Sequence, residues 1–564
     1  MSNKSPTLAA LLSFIFPGLG QIYAGQVRKG VIWAIPMLLV IVFGLWLVIG
    51  GKLIGFATDA QNQIALLIFN IAFFLYHIAA MIDAYDVARR ATSFGYTKPR
   101  GAPIALAALI AIAIMLHGFP EVYGYEAHNS YCAIVDCTGD NGHGGVLQSF
   151  QPATPNPSYV APTDTPSATT EPSTSPGGSN TPTGSPGPQG SVAPFVCPPA
   201  PDLSGWAPAA DGRVNLLLIG GDSRSDTGLD AKSLRTDSMI LLSVDVANCK
   251  AALFSFPRNL CTATDGSCGD GTRYPDWLQL RLPGEDTQSQ QGQTAFPNGN
   301  FTTGNPCAGI QSDGLLTSLW HVAAYCASIF PGSDGVSGSD CQVQFDCERA
   351  WRALVGTIQN FTGQQIDGVI AVNLNGFVDL VNALPAQCPS AAQRVALPST
   401  ANCYGGLWLY TDALQDDAYY DSQQDQIPVN FQQGCFFTDA EYSLAYARSR
   451  HADSDYQRER RQQYVLQQVR RQLDPIGLLP EIPSLLQIAQ ANLFTTLSDT
   501  DVQYLAQVAS RVDADRLYQE DFAPAHVATL GSMQGIQDFV TNIFSQPEPQ
   551  PAPQQQNNPC PPKG

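Results

Sequence analysis

Hydrophobic and polar positions fall into two regimes along the chain. The first 118 residues carry four apolar runs. Leu8–Tyr23 is short and interrupted by "FPGLGQ". Gly30–Gly50 and Ile64–Ala84 are each long enough to cross a bilayer, which takes about 20 apolar residues. Pro103–Gly118 is shorter and is followed by an abrupt change to polar sequence. Successive spans fit poorly with a cleavable signal peptide. The pattern predicts a transmembrane region over residues 1–118 with three to four spans, the first run either spanning or re-entering.

Residues 119–204 contain "PTDTPSATTEPSTSPGGSNTPTGSPGPQG". Such composition cannot bury enough apolar surface to fold, and it reads as an extended linker. Residues 205–545 have globular composition, and 546–564 form a second Pro/Gln-rich, disordered tail. Inside the globular part, Val214–Gly221 ("VNLLLIGG") is a short apolar run ending in glycines, as expected of a buried strand in an α/β sheet. It leads into Asp222, Ser223 and Arg224. Ligands of open α/β sheets sit at the carboxyl ends of strands. Ser238–Val244 and Ala251–Phe256 read as a hairpin centred near Ala247–Asn248, which brings Asp237 and Arg258 to one end of the sheet. Such a pair is also a common, weak surface contact. Residues 260–345 show little periodicity beyond one helix near Leu315–Phe330. "QQIDGVIAVNLNGFVDLVNAL" gives a strand and a helix, with a turn at Asn375-Gly376.

Charge fixes the orientation. Arg28 and Lys29 precede the second run, and Arg89, Arg90, Lys98 and Arg100 lie between the third and fourth. Basic loops stay in the cytoplasm, so everything after about residue 119 is expected outside. All 14 cysteines lie at or beyond Cys132, in the part expected outside, which points to disulfides in an oxidising space. Spacings such as Cys132/Cys137, Cys261/Cys268 and Cys341/Cys347 are too wide for a CxxC zinc site, and the pairing is not readable. A net charge of −19 argues against nucleic acid as a partner.

Against that acidity, seven arginines crowd between Arg448 and Arg471, around "ARSRHADSDYQRERRQQ". Thr438-Asp439-Ala440-Glu441 has the form of a capping box, so a helix is expected to start there and end near Arg448. A second helix is expected from Asp455 to about Leu473. At 100° per residue, Arg458, Arg461 and Gln462 share a face with Val465 and Val469, while Arg460 and Arg471 lie opposite. An inward-facing arginine needs an anion. That anion is either a protein carboxylate, such as Asp455 or Glu441, or a ligand phosphate. Four arginines together, counting Arg448 and Arg450 on the adjoining loop, favour a polyanionic ligand.

Three segments in this order resemble the LytR–CpsA–Psr family of membrane-anchored glycopolymer phosphotransferases. They are "NLLLIGGDSR"; then "LRTDSMILLSVD" with "FSFPRN"; then "IDGVIAVNLNGFVDLVNAL" leading to "GCFFTDAEYSLAYARSRHADSDYQRERRQQ". The last matches the family pattern R-x-R…D-[FY]-x-R-x-x-R-Q at Arg448, Arg450, Asp455, Tyr456, Arg458, Arg461 and Gln462. The resemblance covers roughly residues 205–545 and implies an extracytoplasmic α-β-α domain around a central mixed sheet. It implies a polyprenyl-pyrophosphate-linked glycan as donor and peptidoglycan or another wall glycan as acceptor. It also implies a divalent cation, Mg2+ or Mn2+, held by Asp222 and Asp237. Arg224, Arg235, Arg258, Arg448, Arg450, Arg458 and Arg461 would surround the diphosphate, with Gln462 assisting. Two readings compete: hydrolysis of the same donor by water, and a non-enzymatic wall-glycan binder. Asn259 stands where the family commonly has Asp, and Pro385-Ala386-Gln387-Cys388 replaces its Gly-Gly-Val. The N-terminal "SFIFPGLGQIYAGQVRKGVIWA" and "MIDAYDVARR" resemble membrane modules of the TM2 type.

Overall fold

The computed structural model describes residues 4–50, 52–91, 102–135, 137, 197–199, 203, 206, 208, 211–222, 234–261, 273–275, 277–278, 299–300, 311–312, 315–325, 341–343, 346–384, 394–395, 405–411, 414–420, 426–431, 433–449, 455–472, 482–509, 511–512 and 517–547. Helix α1 (Pro6–Ile15) is capped by Ser5, whose hydroxyl accepts from the Leu8 N–H. It stops at Phe16, because the residue before a proline is disfavoured in helical geometry. Gly18 then adopts a φ of 102°, and a Cβ there would meet Gly30 O at 2.2 Å. Helix α2 (Leu19–Tyr23) therefore folds back, and the Ser5 N–H donates to Tyr23 Oη at 3.2 Å. The first apolar run thus doubles back on itself at Gly18.

Helices α3 (Val27–Ile49), α5 (Ala60–Ala91) and α6 (Ala102–Ile134) are long and apolar enough to cross a membrane, with the short α4 (Leu53–Thr58) before α5. Here α6 departs from expectation. It runs past Gly118 and through Pro120 to Ile134, for 33 residues. Its polar last turns are held by tertiary contact, with Tyr131 and Val135 packing on Ala60, Leu486 and Val502. Polar side chains inside the bundle are paired, as an apolar medium demands. Gln21 donates to Asp83 at 3.1 Å, as does Trp33, and Lys29 Nζ reaches Asp83 at 2.5 Å.

Beyond residue 210 the chain builds a six-stranded mixed sheet. Its strands are β1 (Arg213–Asp222), β2 (Arg235–Asp245), β3 (Lys250–Ser255), β4 (Gly368–Asn373), β7 (Leu493–Thr495) and β8 (Leu517–Asp521). The order is β7-β4-β1-β2-β3-β8; β4 runs parallel to β1 and β8 parallel to β3, the other pairs being antiparallel. Period-2 alternation divides the core. Leu217, Ile219, Met239, Leu241 and Phe254 meet helices α7 (Leu319–Tyr325) and α8 (Glu348–Thr362) on one face, around Trp320 and Trp351. Leu216, Val244 and Ala251 meet Leu497, Val508 and Trp206 on the other. This is the α-β-α arrangement expected of the domain. The helix expected near Leu315–Phe330 is a 3-10 turn, Leu316–Ser318, followed by α7, and residues 326–330 lie outside those described.

The β2–β3 hairpin turns at residues 246–249, as expected. Asp245 Oδ1 accepts from the Ala247 and Asn248 N–H groups, each at 3.1 Å. Cys249 sits at φ 56° and is disulfide-bonded to Cys197. Cys132 pairs with Cys137, while Cys261, Cys347 and Cys435 are also disulfide-bonded; no cysteine is free among the described residues. Alkylation mass spectrometry on protein from its native host should find most of the 11 cysteines from Cys197 to Cys435 oxidised. Mainly free thiols would contradict this.

Strand β4 runs straight into helix α9 (Leu374–Ala383), so the expected turn at Asn375-Gly376 does not form. Asn373 caps the helix instead, its side chain accepting from the Gly376 N–H at 2.7 Å. Gly376 serves close packing, since a Cβ would lie 2.5 Å from Asn492 Cβ. Just before β4, Asp367 accepts from the Asn215 N–H at 2.8 Å. Burial pushes its carboxyl up to about 7. A folded value above the unfolded one stabilises at low pH and is lost as pH rises through about 7. Asp367→Asn should therefore raise the Tm of the whole protein at pH 8 and flatten its pH dependence between about 4 and 7, each pH unit being worth about 1.4 kcal/mol. An unchanged pH profile would exclude this carboxyl as the source.

A second, smaller layer holds β5 (Leu407–Thr411), β6 (Gly434–Thr438), α10 (Ala440–Arg448) and α11 (Asp455–Gln472). Both expected helices are present. The cap of α10 differs from the expected capping box: Asp439 accepts from Tyr442 N–H at 2.9 Å, while Thr438 stays in β6 and bonds Ser443 Oγ at 2.6 Å. Helices α12 (Ile482–Asn492) and α13 (Asp499–Ala509) complete the domain beside β7. Asp499 joins the domain to the membrane helices, accepting from the Ala60 N–H at 3.3 Å and from Tyr131 Oη at 2.8 Å. The Pro/Ser/Thr-rich stretch 150–196 lies outside the described residues.

Candidate active site

The site lies where β1 and β4 end and β2 begins. In the β1–β2 ladder Gly221 faces Thr236 and Asp222 faces Arg235, after a register shift between Gly220 and Gly221. Gly221 also faces Asn373 at the end of β4. A Cβ on Gly220 would sit 2.9 Å from Ser238 Cβ, so the close approach of the two strands needs glycine. Arg235 is exposed at the start of β2. The Asp222 side chain, Arg224 and Arg450 lie outside what is described.

Asp237 and Arg258 meet as the hairpin register requires. Ile240 faces Ser255 on the last rung, and three further residues on each strand lead to this pair. Arg258 Nη1 donates to Asp237 Oδ1 at 2.8 Å, with both side chains about one-fifth exposed. Thr317, in the 3-10 turn, donates its hydroxyl to the same oxygen at 3.3 Å, and its N–H donates to Arg258 O at 3.0 Å. Thr317 was not legible in the aperiodic 260–345 segment. Asn259, beside this pair, is buried.

Helix α11 brings its first turn to the same end of the sheet. Gln463 donates to Ser255 Oγ at 2.8 Å, to Leu253 O at 3.2 Å and to Glu520 O at 2.7 Å. One turn earlier, Arg460 bonds Asp521 at 2.9 Å, and Asp521 faces Ser255 across the β8–β3 ladder. Burial raises the neighbouring Glu520 carboxyl, with His526 and Arg460 opposing. Arg458 and Arg461 are buried, at 4% and 9% exposure, as the helical phase predicts. The Arg460 side chain is 62% exposed, and Arg471 is half-buried on that opposite face.

Arg461 has a definite structural task. Its Nε donates to Tyr446 O at 3.0 Å and its Nη2 donates to Ser449 O. It thereby ties down the carboxyl end of α10, where Arg448 occupies the last turn. Gln462, expected to assist, is half-buried; its neighbour Gln463 is buried, as are Gln467 and Gln468 further along the helix. Glu459 is buried as well, at 3% exposure. A lone acid among arginines was its only sign in the sequence. The helix is buried more broadly than one stripe because it is sandwiched between the β5–β6 layer and the β3–β8 edge.

This geometry defines a class: an α/β domain with an arginine- and aspartate-lined sheet end, carried beside helices long and apolar enough to cross a membrane. Residues 198–274 and 351–541 match the family described as LytR_cpsA_psr. The domain they make up belongs to the LytR–CpsA–Psr family, which is implicated in transferring wall glycopolymers. No curated protein matches the chain in sequence. Among solved structures, gbs0355 from Streptococcus agalactiae is 16% identical over 57% of this chain and 80% of that one, with a TM-score of 0.34. TagV of B. subtilis is 17% identical over 58% and 97%, with a TM-score of 0.32. TagT bound to LIIa-WTA is 16% identical over 61% and 93%, with a TM-score of 0.33.

Proposed function

We propose that this protein is a membrane-anchored phosphotransferase that moves a glycopolymer from a polyprenyl-pyrophosphate carrier to a hydroxyl of a cell-wall sugar. The observation that carries the reading is that α11, which buries Arg458 and Arg461, packs through Gln463 and Arg460 on the end of β3 and β8, the same end of the sheet that leads to the Asp237–Arg258 pair. A diphosphate donor needs its charge balanced while the bond to the sugar-proximal phosphorus is exchanged. In this reading Arg258 and Arg458 supply positive charge. Arg461 holds the α10 end that presents Arg448, and Arg224, Arg235, Arg450 and Gln462 are assigned to the same diphosphate. The acceptor hydroxyl attacks that phosphorus, and polyprenyl phosphate leaves.

A divalent cation, Mg2+ or Mn2+, fits the donor set at Asp237 and Asp222. Magnesium asks for one or two carboxylates and takes its remaining ligands from water and substrate phosphates. Bound there, the cation would neutralise charge on the diphosphate. Asp237 meanwhile orients Arg258 and Thr317 through one oxygen, Oδ1.

The test is transfer of a labelled lipid-linked glycan, measured with and without peptidoglycan. Label appearing on peptidoglycan supports the reading. Equal release to water in both arms would make the protein a hydrolase, and binding without turnover would make it a glycan-binding protein. The same reading places residues 119–564 outside the cytoplasmic membrane, from the basic residues Arg28, Lys29, Arg89 and Arg90. Protease added to intact spheroplasts should remove the large domain, and its protection would reverse the topology.

A further inference from the structure

Between α5 and α6 lies a chain of polar side chains that the transfer reaction does not use. His77 Nε2 is 2.8 Å from Phe14 O, and His77 Nδ1 is 3.2 Å from His117 Nε2. His117 Nδ1 is 2.9 Å from Asn70 Oδ1. Asn70 Nδ2 in turn donates to His117 O at 2.9 Å and to Glu121 Oε2 at 3.0 Å. The outer partners fix the protons. Phe14 O is a carbonyl and only accepts, so His77 Nε2 carries a hydrogen. Asn70 spends its amide hydrogens on a carbonyl and a carboxylate, so its Oδ1 accepts and His117 Nδ1 carries a hydrogen. Flipping the Asn70 amide would set its oxygen against both of those acceptors. Two neutral imidazoles would then face each other through bare nitrogens, with no hydrogen to join them.

We propose that His77 and His117 form a proton-binding site, holding one shared proton between His77 Nδ1 and His117 Nε2. The proton comes from water and adds one positive charge to the pair, without any change in bonding between heavy atoms. Its surroundings suit a cation. The Phe14 ring stacks on His77 at 5.7 Å, Phe74 lies 5.3 Å from His117, and Phe73 lies 6.3 Å and 6.1 Å from the two imidazoles. Aromatic faces attract desolvated cations. Other ionisable groups nearby are few. Helix α6 offers Glu121, reached through Asn70, and α5 offers Tyr76, which donates to Trp33 O on α3. Helix α1 offers no ionisable side chain there, only Phe14. The next charges on α5 and α3 are the Asp83–Lys29 pair, six residues inward on α5. Asn70 and Glu121 lie toward the Ala60 and Ile134 ends of their helices. The bound proton ties α5 to α6, while the hydrogen already on His77 Nε2 holds Phe14 O of the doubled-back α1.

Solid-state spectra of the full chain, 15N-labelled at histidine and embedded in lipid bilayers, test this. The expected result is a coupling across the hydrogen bond between His77 Nδ1 and His117 Nε2, with one proton more on the pair than two neutral rings carry. Raising the pH should remove that proton and the coupling together, and His77→Phe or His117→Phe should abolish the signal. Both facing nitrogens bare across the pH range of the folded protein would overturn the proposal. A metal signature removed by a chelator would overturn it too. The wild-type coupling decides the matter even if a variant fails to fold.

Discussion

Arg458→Ala should cut transfer from the lipid-linked donor by about thirty-fold or more, because a buried charge-assisted contact is worth about 2–5 kcal/mol. Arg460→Ala should cost less than about five-fold, since an exposed pair such as Arg460–Asp521 is worth about 0–1 kcal/mol. Arg471→Ala should resemble Arg460→Ala. Arg461→Ala should match Arg458→Ala in activity but also lower Tm by several degrees, on the order of the loss of two charge-assisted bonds to the Tyr446 and Ser449 carbonyls. Transfer assays paired with thermal unfolding separate these outcomes. Equal losses at Arg458 and Arg460 would mean that the segment supplies charge without a site. Unfolding, with normal activity in the surviving folded fraction, would make Arg458 structural.

Asp237→Asn should lower transfer by about a hundred-fold, some 2.7 kcal/mol in the barrier. The amide oxygen can still accept from Arg258 and Thr317, so local geometry is retained while the negative charge is removed. The concentration of Mg2+ needed for half-maximal activity should rise as well. Arg258→Ala should lower activity without that shift in metal requirement. If the two residues made only an ordinary ion pair, both variants would stay within about five-fold of wild type. A Mg2+ titration unchanged in Asp237→Asn would remove this residue from the cation's ligands.

The parts of the site that were legible in the sequence are those set by simple periods. Hairpin register depends on counting residues from the turn, so Asp237 and Arg258 were placed together correctly. Helical phase put Arg458 and Arg461 inward for the same reason. Thr317 fell inside the helix expected near Leu315–Phe330, but its approach to Asp237 follows from the 3-10 turn held along residues 258–261, which no period reports. Gln463 was invisible because a single-stripe reading assumes one buried face, whereas α11 packs on two. Caps were ambiguous where several polar residues adjoin, as at Thr438-Asp439 and Asn373-Asn375, and only the strand ends decide which one is chosen. The length of α6 was underestimated because its last turns are polar and depend on contacts with residues more than 300 positions away, such as Leu486.

The union of Asp499 with Ala60 and Tyr131 has a consequence for reach. The membrane helices touch the sheet at its β7 edge, through α6 and α12. From that edge, β2 with Asp237 is three strands away and β3 is four. At about 4.8 Å per strand, Asp237 stands roughly 14 Å, and the foot of α11 roughly 19 Å, from the edge that meets the helices. The distance from that edge to Asp237 is thus counted in strands. Lengthening or trimming residues 150–196 would leave that distance unchanged, because the contact of Asp499 with Ala60 and Tyr131 does not depend on it.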